Sequence, residues 1–353
     1  MYSGTNRSAI VTLTANPSLD RTVELSGTLA RGTVQRAAGF HEEPGGKGVN
    51  VCRALKASGA GCLAVLPGDD EDPVMAGLRS AGVDYRNLPI GAALRANLTL
   101  TEPDGTTTKV NLPGPELDAG IQERLLALAL EACAGPEGDP PARWLVLAGS
   151  LPPGVPADYY AVAADALRRR FPSNTPALAI DSSGQPLLGA LLHGAAPNLL
   201  KPNGDELAEV TGISSGEELE ANPALAAGAA RTLIERGVGA VLATLGARGA
   251  LLVTPDGAWL ATRPPVTPRS TVGAGDSALA GYLLAESAGH QPQDCLRQAV
   301  AHGAAAAALP GTTVPSWDET RPEEVTVTPV EPQSVPASST RRGPAPTSSK
   351  EQS

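Results

Sequence analysis

No stretch of the sequence approaches the roughly 20 uninterrupted apolar residues that a membrane-spanning helix needs. Met1 to Ser8 is short and polar and lacks the apolar segment of a secretory leader. The expectation is therefore a cytoplasmic protein that meets no membrane. Basic residues are outnumbered, with 27 Lys and Arg against 37 Asp and Glu, giving a net charge of -10. That balance speaks against a nucleic-acid surface, which needs a basic stripe. An anionic ligand would have to be held by a few local cations, and lysine itself occurs at only five positions: 47, 56, 109, 201 and 350. The four cysteines, Cys52, Cys62, Cys133 and Cys295, show no CxxC spacing, so reduced thiols buried in a core are expected. The four histidines are scattered, which leaves a zinc site or a histidine-based nucleophile little support. Neither the nucleotide P-loop spacing GxxxxGKS/T nor a GxGxxG after the first strand is present, which argues against P-loop and dinucleotide folds.

What the sequence does have is alternation. Short apolar runs at 9–15, 62–67, 144–148, 177–181, 198–201, 240–244 and 250–253 read as buried strands. Helical patterns at 46–55, 73–81, 157–170, 205–210, 224–236, 275–287 and 294–309 separate most of them. This rhythm predicts a three-layer α/β/α sandwich around a mostly parallel sheet. Two extended stretches, 20–43 and 92–112, break it. The second is a hairpin about the turn Pro103-Asp104-Gly105, and its arms alternate apolar and polar residues, which predicts one covered and one wet face. Together they are expected to form a small β-sheet lid. The main domain is placed at 9–314, followed by a strap at 315–333 and a polar, disordered tail at 334–353.

Six loops carry candidate chemistry. In Ser270-Thr271-Val272-Gly273-Ala274-Gly275-Asp276-Ser277 two glycines open an apolar helix, where free N–H groups make an anion site. Asp276 inside such a site is either a helix-capping acid or a base placed beside a phosphoryl group. Pro44-Gly45-Gly46-Lys47-Gly48-Val49-Asn50 also opens a helix, and supplies close backbone approach, a cation and a side-chain amide for hydroxyls, or else a structural turn. Asn16-Pro17-Ser18-Leu19-Asp20 ends the first strand, and Asp20 there either forms a turn or clamps sugar hydroxyls. Ser150 follows the strand at 144–148. Asn203 and Glu206, three apart after Lys201, are either a capping pair or water-mediated magnesium ligands. Thr244 to Gly249 is a nucleotide-facing turn or a plain hairpin.

In this order the segments NPSLD, PGGKGVN, GSLPPGV, KPNGDEL, TLGARG and STVGAGDS resemble the ribokinase-like PfkB carbohydrate kinases over about residues 9–312. The wording is most similar to the branch acting on phosphorylated ketohexoses, and within it to bacterial 1-phosphofructokinases. Gly32 to Arg36, DSSG at 181–184 and the run at 100–117 support that choice. The resemblance implies ATP and Mg2+ as cofactors. It implies Asp276 as general base, with Gly273, Ala274 and Gly275 as the anion hole. Asp20, Gly46, Lys47, Asn50 and Ser150 would bind the sugar, and Arg95 and Lys109 its phosphate. Lys201, Asn203, Thr244, Gly246, Gly249, Ser270 and Thr271 would face the nucleotide, with Asn203 and Glu206 near magnesium. The implied reaction is phosphorylation of fructose 1-phosphate at C6. Tagatose-6-phosphate kinase and 6-phosphofructokinase stand as alternatives, and a non-catalytic sensor as a remote one. The resembled family also implies a possible homodimer through the lid.

Overall fold

The fold comes from a computed structural model that describes residues 10–135 and 140–335. The first strand, β1 (Ile10–Leu13), is buried at every position, as suits a strand covered on both faces. The chain then leaves the core as β2 (Ser18–Leu25) and β3 (Ala37–Gly45) and returns through helix α1 (Lys47–Ala57). β4 (Cys62–Pro67), α2 (Pro73–Ser80) and β5 (Asp84–Leu88) follow, then the hairpin β6 (Arg95–Thr101) and β7 (Thr107–Asn111). Next come α3 (Ala119–Ala134), β8 (Trp144–Ala148), α4 (Tyr159–Arg170), β9 (Ala177–Asp181), α5 (Gly184–Leu192) and β10 (Leu199–Leu200). After α6 (Gly204–Thr211), α7 (Gly216–Ala221) and α8 (Pro223–Glu235) come three strands, β11 (Val241–Thr244), β12 (Ala250–Thr254) and β13 (Gly257–Thr262). Helices α9 (Ala274–Ser287) and α10 (Pro292–Ala307) and the strand β14 (Thr326–Pro329) complete the order.

The main sheet has 10 strands in the order β14-β13-β12-β11-β10-β9-β8-β1-β4-β5. From β5 through β11 every pairing is parallel, while β12, β13 and β14 add on antiparallel. One face packs on α3 to α8 through Leu125, Tyr160, Leu187, Leu207, Leu219 and Leu233. The other packs on α1, α2, α9 and α10 through Val49, Val74, Leu279 and Leu296. The result is the three-layer sandwich with a mostly parallel sheet expected from the alternation. A separate 4-stranded sheet, β3-β2-β6-β7, is built from the two extended stretches.

The expectation of free thiols fails for one pair: Cys52 and Cys62 form a disulfide with Cα atoms 5.4 Å apart, while Cys133 and Cys295 are free and buried. Their ten-residue spacing has no motif to announce it; the turn after α1 lays that helix beside the start of β4. The hairpin arms were expected to have one covered face. Instead β6 is half-buried throughout and Val110 on β7 is 49% exposed, so its apolar face is only partly covered within this chain. Strand β13 and helices α3, α5 and α7 were not anticipated as separate elements. The polar N-terminus and nearly all of the tail from 334 lie outside the described residues.

Candidate active site

Parallel strands deliver their C-terminal ends to one edge of a sheet, and ligands settle in the crevice there. In this chain that edge gathers Asn16 after β1, Ser150 after β8, Asp181 at the end of β9 and Lys201 after β10. The N-termini of α1, α6 and α9 supply Lys47, Asn203 with Glu206, and Asp276.

Asp276 lies in the first turn of α9, buried at 7% exposure. The residue before that helix, Gly273, has φ 76°, a left-handed conformation that residues with a Cβ rarely adopt. It turns the chain so that the backbone at 273–275 precedes the carboxylate at the helix start. Gly275 is tight as well, since a Cβ there would lie 3.3 Å from Lys201 Nζ. Asn50 Nδ2 donates to Asp276 Oδ2 at 2.9 Å. Burial, and then the charge of Asp181, push the Asp276 carboxyl up to about 6, against the opposing pull of Lys47 and the Asn50 amide.

The charges around it form one connected group. Lys47 Nζ lies 2.8 Å from Asp181 Oδ1 and 3.3 Å from Glu206 Oε1. Lys201 Nζ lies 3.1 Å from Asp181 Oδ2. Burial works against the charge on Lys47, but Asp181, Glu206 and Asp276 hold its ammonium above the ordinary lysine range. Burial works equally against Asp181, and the two lysines overcome it, holding that carboxylate below its ordinary value.

Asn203 and Glu206 make a reciprocal capping box: Glu206 N donates to Asn203 Oδ1 at 2.8 Å and Asn203 N donates to Glu206 Oε2 at 2.9 Å. The capping arrangement is thus realised, and it leaves Glu206 Oε1 to Lys47. Among the described residues no group of three or more His, Cys, Asp or Glu is placed to hold a metal directly. Oxygen donors suited to a hard divalent cation are nonetheless close together, and Asp181 Oδ2 is buried with only its ion pair to Lys201 and no hydrogen bond.

On the small-sheet side, Asp20 Oδ1 accepts from Ser18 Oγ at 2.7 Å and Asn97 Nδ2 at 2.9 Å, and burial raises its carboxyl above the ordinary value. A Cβ at Gly45 would come 2.1 Å from Asp20 Oδ2, so the lid strand needs glycine opposite this carboxylate. Gly46, φ 111°, is the single residue between β3 and α1. Ser150 Oγ accepts from Asn16 Nδ2 at 3.1 Å. Arg95 donates to Leu112 O and Asn16 O at 3.1 and 3.2 Å and keeps a buried Nε with no partner. Lys109 pairs with Thr99 in register and so shares the lid face of Asn97 and Asp20, but it is exposed and stands apart from the charge cluster.

Thr244 to Gly249 joins β11 and β12 as a tight antiparallel connection around a short 3-10 turn, with Thr244 bridged to Asn203. Ser270 and Thr271 precede α9, Ser270 N donating to Ala307 O at 3.3 Å. Asn97, Arg53 and Glu43 were not singled out from the sequence, and Asp181 entered only as the first residue of DSSG, with no role given to it. For Asp181 a signal existed, since a carboxylate ends an otherwise apolar buried strand, Ala177–Asp181. The others carry no mark that separates them from ordinary surface polar residues.

Residues 13–319 match the pfkB family carbohydrate kinases. The chain belongs to that family. This kinase is 37% identical over 316 residues to the ATP-dependent 6-phosphofructokinase isozyme 2 of Mycobacterium tuberculosis, covering 88% of this chain and 87% of that one. It is 36% identical over 284 residues to the 1-phosphofructokinase of Xanthomonas campestris, covering 78% and 83%. Its fold superposes on phosphofructokinase-2 from Escherichia coli in complex with substrates and products with a TM-score of 0.76, at 29% identity over 88% of this chain and 96% of the other. The kinase is thus an enzyme of carbohydrate metabolism with the ribokinase-like architecture, and among the described residues no helix is long and apolar enough to cross a membrane.

Proposed function

We propose that the kinase transfers the γ-phosphoryl group of ATP to the C6 hydroxyl of fructose 1-phosphate, with Asp276 taking the hydroxyl proton. The observation that carries this reading is the buried carboxylate of Asp276, raised to about 6, in the first turn of a helix entered through left-handed Gly273. A carboxyl in that range is ionised at neutral pH yet basic enough to accept a proton in flight. The backbone N–H groups of 273–275 would stabilise charge on the transferring phosphoryl, and the ammonium groups of Lys47 and Lys201 add to that field. Asp20 and Asn97 would orient the sugar hydroxyls. Arg95, with its unpaired Nε, would fix the sugar's phosphate so that the far hydroxyl meets phosphorus in line. Magnesium, when bound with the nucleotide, would neutralise phosphate charge, held through water by Asn203 and Glu206 beside Asp181.

A second reading keeps this chemistry and changes the acceptor to a 6-phosphate. The 37% identity to a protein named for 6-phosphofructokinase activity favours it. Release of ADP with ATP, magnesium and each of fructose 1-phosphate, fructose 6-phosphate and tagatose 6-phosphate separates the two. A kcat/KM at least roughly tenfold higher for fructose 1-phosphate supports the first reading, and the reverse preference supports the second.

The lid also suggests pairing. In register, Phe40, Val23 and Leu100 form one row of the lid face opposite Asp20, and Leu98 and Val110 lie beside it; Phe40 is 54% and Val110 49% exposed. A second copy laid on this face would cover it. Sedimentation of wild-type protein should give a dimer, and Leu98→Lys a monomer; a monomeric wild type sinks the pairing.

A further inference from the structure

Arg53 belongs to none of the six loops that carry the candidate chemistry, yet it is buried at 9% exposure, close in degree of burial to Asp181, Lys201, Glu206 and Asp276. It lies three residues after Asn50 on α1, on the same helix face. Its Nη2 is 2.7 Å from Glu43 Oε1 on the lid strand β3. Its Nη1 donates to Pro44 O at 3.3 Å, to Thr312 O at 3.2 Å and to Asn50 Oδ1 at 3.3 Å. Glu43 is held in turn from its other oxygen, which accepts from Thr312 N at 3.2 Å and from Thr312 Oγ1. The guanidinium is thereby fixed from the lid strand β3, from the segment after α10 and from Asn50 on α1 itself.

An asparagine amide is nearly symmetric in shape, and what surrounds it decides which end points where. Arginine donates only, so a fixed guanidinium at one end of Asn50 requires the oxygen there. The NH2 group then faces Asp276, where it donates at 2.9 Å. Without Arg53 the amide is free to turn over once Asp276 has taken a proton, because a protonated carboxyl can donate to the amide oxygen. The turned amide would favour the protonated base.

We infer that Arg53 is a positioning residue for the proton-transfer step: it locks the Asn50 amide so that its NH2 group always faces Asp276, and the Glu43–Thr312 clasp holds the guanidinium in place. The inference rests on reading Asp276 as the base. Other charged groups face Asp276 as well: Lys47 from α1, Asp181 from β9 and Lys201 from the end of β10. None of them contacts the Asn50 oxygen, so none supplies the same constraint.

The test is a double-mutant cycle with Arg53→Lys and Asp276→Asn. Lysine keeps the charge opposite Glu43, but its donors radiate from one point and cannot span Glu43, both carbonyls and Asn50 together. Arg53→Lys is expected to lower kcat by roughly 10- to 100-fold, the scale of a misplaced catalytic group, with KM for ATP changed less than about twofold. In the Asp276→Asn background the same change should cost less than about twofold, because its target is gone. An equal loss in both backgrounds, or none in the wild type, overturns the inference while leaving the base reading standing. A near-normal kcat for Asp276→Asn alone overturns the base reading first. Should Arg53→Lys not yield folded protein, Glu43→Gln loosens the guanidinium while keeping the shape. A severalfold kcat loss confined to the Asp276 background supports the inference, and a loss independent of Asp276 overturns it.

Discussion

Replacing Asp276 with asparagine is expected to lower kcat by about 10²- to 10⁴-fold, the usual contribution of a positioned base, while KM for ATP changes little. The amide keeps the shape and accepts no proton. The wild-type enzyme adds a second readout. With its carboxyl raised to about 6, kcat should be level at neutral pH and fall tenfold per unit once the pH is well below that value. The variant's residual rate should lack this limb. Stability should move the other way. A folded-state value raised above the ordinary 3.8 means the native state prefers the protonated form, so the stability it contributes is complete below about pH 4 and is lost as pH rises through about 6. Asp276→Asn should therefore melt higher than wild type at pH 8 while turning over far more slowly. A variant with normal kcat, or a wild-type rate flat to pH 5, would remove Asp276 from the proton transfer.

The second large effect belongs to Asp181, whose carboxylate is fully buried between two lysines at 2.8 and 3.1 Å. Asp181→Asn leaves Lys201, itself 4% exposed, with no carboxylate in contact, and takes one of two from Lys47. Removing one partner of a buried ionic group costs about 3–5 kcal/mol, because the survivors stay desolvated without compensation. Urea unfolding at pH 7 should show a loss on that scale. The sign with pH is fixed by the direction of the shift. A depressed carboxyl contributes stability above its unfolded value, near 3.9, and loses it only as pH falls through the lower folded value. The gap between wild type and variant should hold down to about pH 4 and narrow only in stronger acid. A loss under about 1 kcal/mol at pH 7 would mean that water already screens the cluster.

Much of the architecture was legible because periodicity reports burial. Strands such as Trp144–Ala148 and Cys62–Pro67 are apolar along their length because helices cover both faces, and their bounds follow the apolar runs. Strand β13 was missed because Gly257–Thr262 is half-buried, next to the end of the sheet, and its side chains do not alternate cleanly. The loops bearing Lys47 and Asp276 stood out because glycines mark sharp turns at helix starts. Arg53 and Glu43 did not, because their contact joins residues ten apart on different elements through a fold that had first to be built. The disulfide was illegible for the same reason: spacing along a chain does not report distance across a helix-to-strand return. The capping pair Asn203–Glu206 shows a further limit, since cap and ligand use identical residues and only the surrounding charges set them apart.

The strand that finishes the main sheet, β14, pairs antiparallel with β13 and comes from residues 326–329, far along the chain from the strands it joins. During synthesis, then, the unit that contains the whole charge cluster is complete before its outer edge is. For the time needed to make residues 263–329, β13 presents open N–H and C=O groups to whatever passes, which is the condition that invites strand addition from a neighbouring nascent chain. The last segment covers that edge with a short strand, and a chain ended before it would keep the charge cluster while leaving β13 as the outer strand.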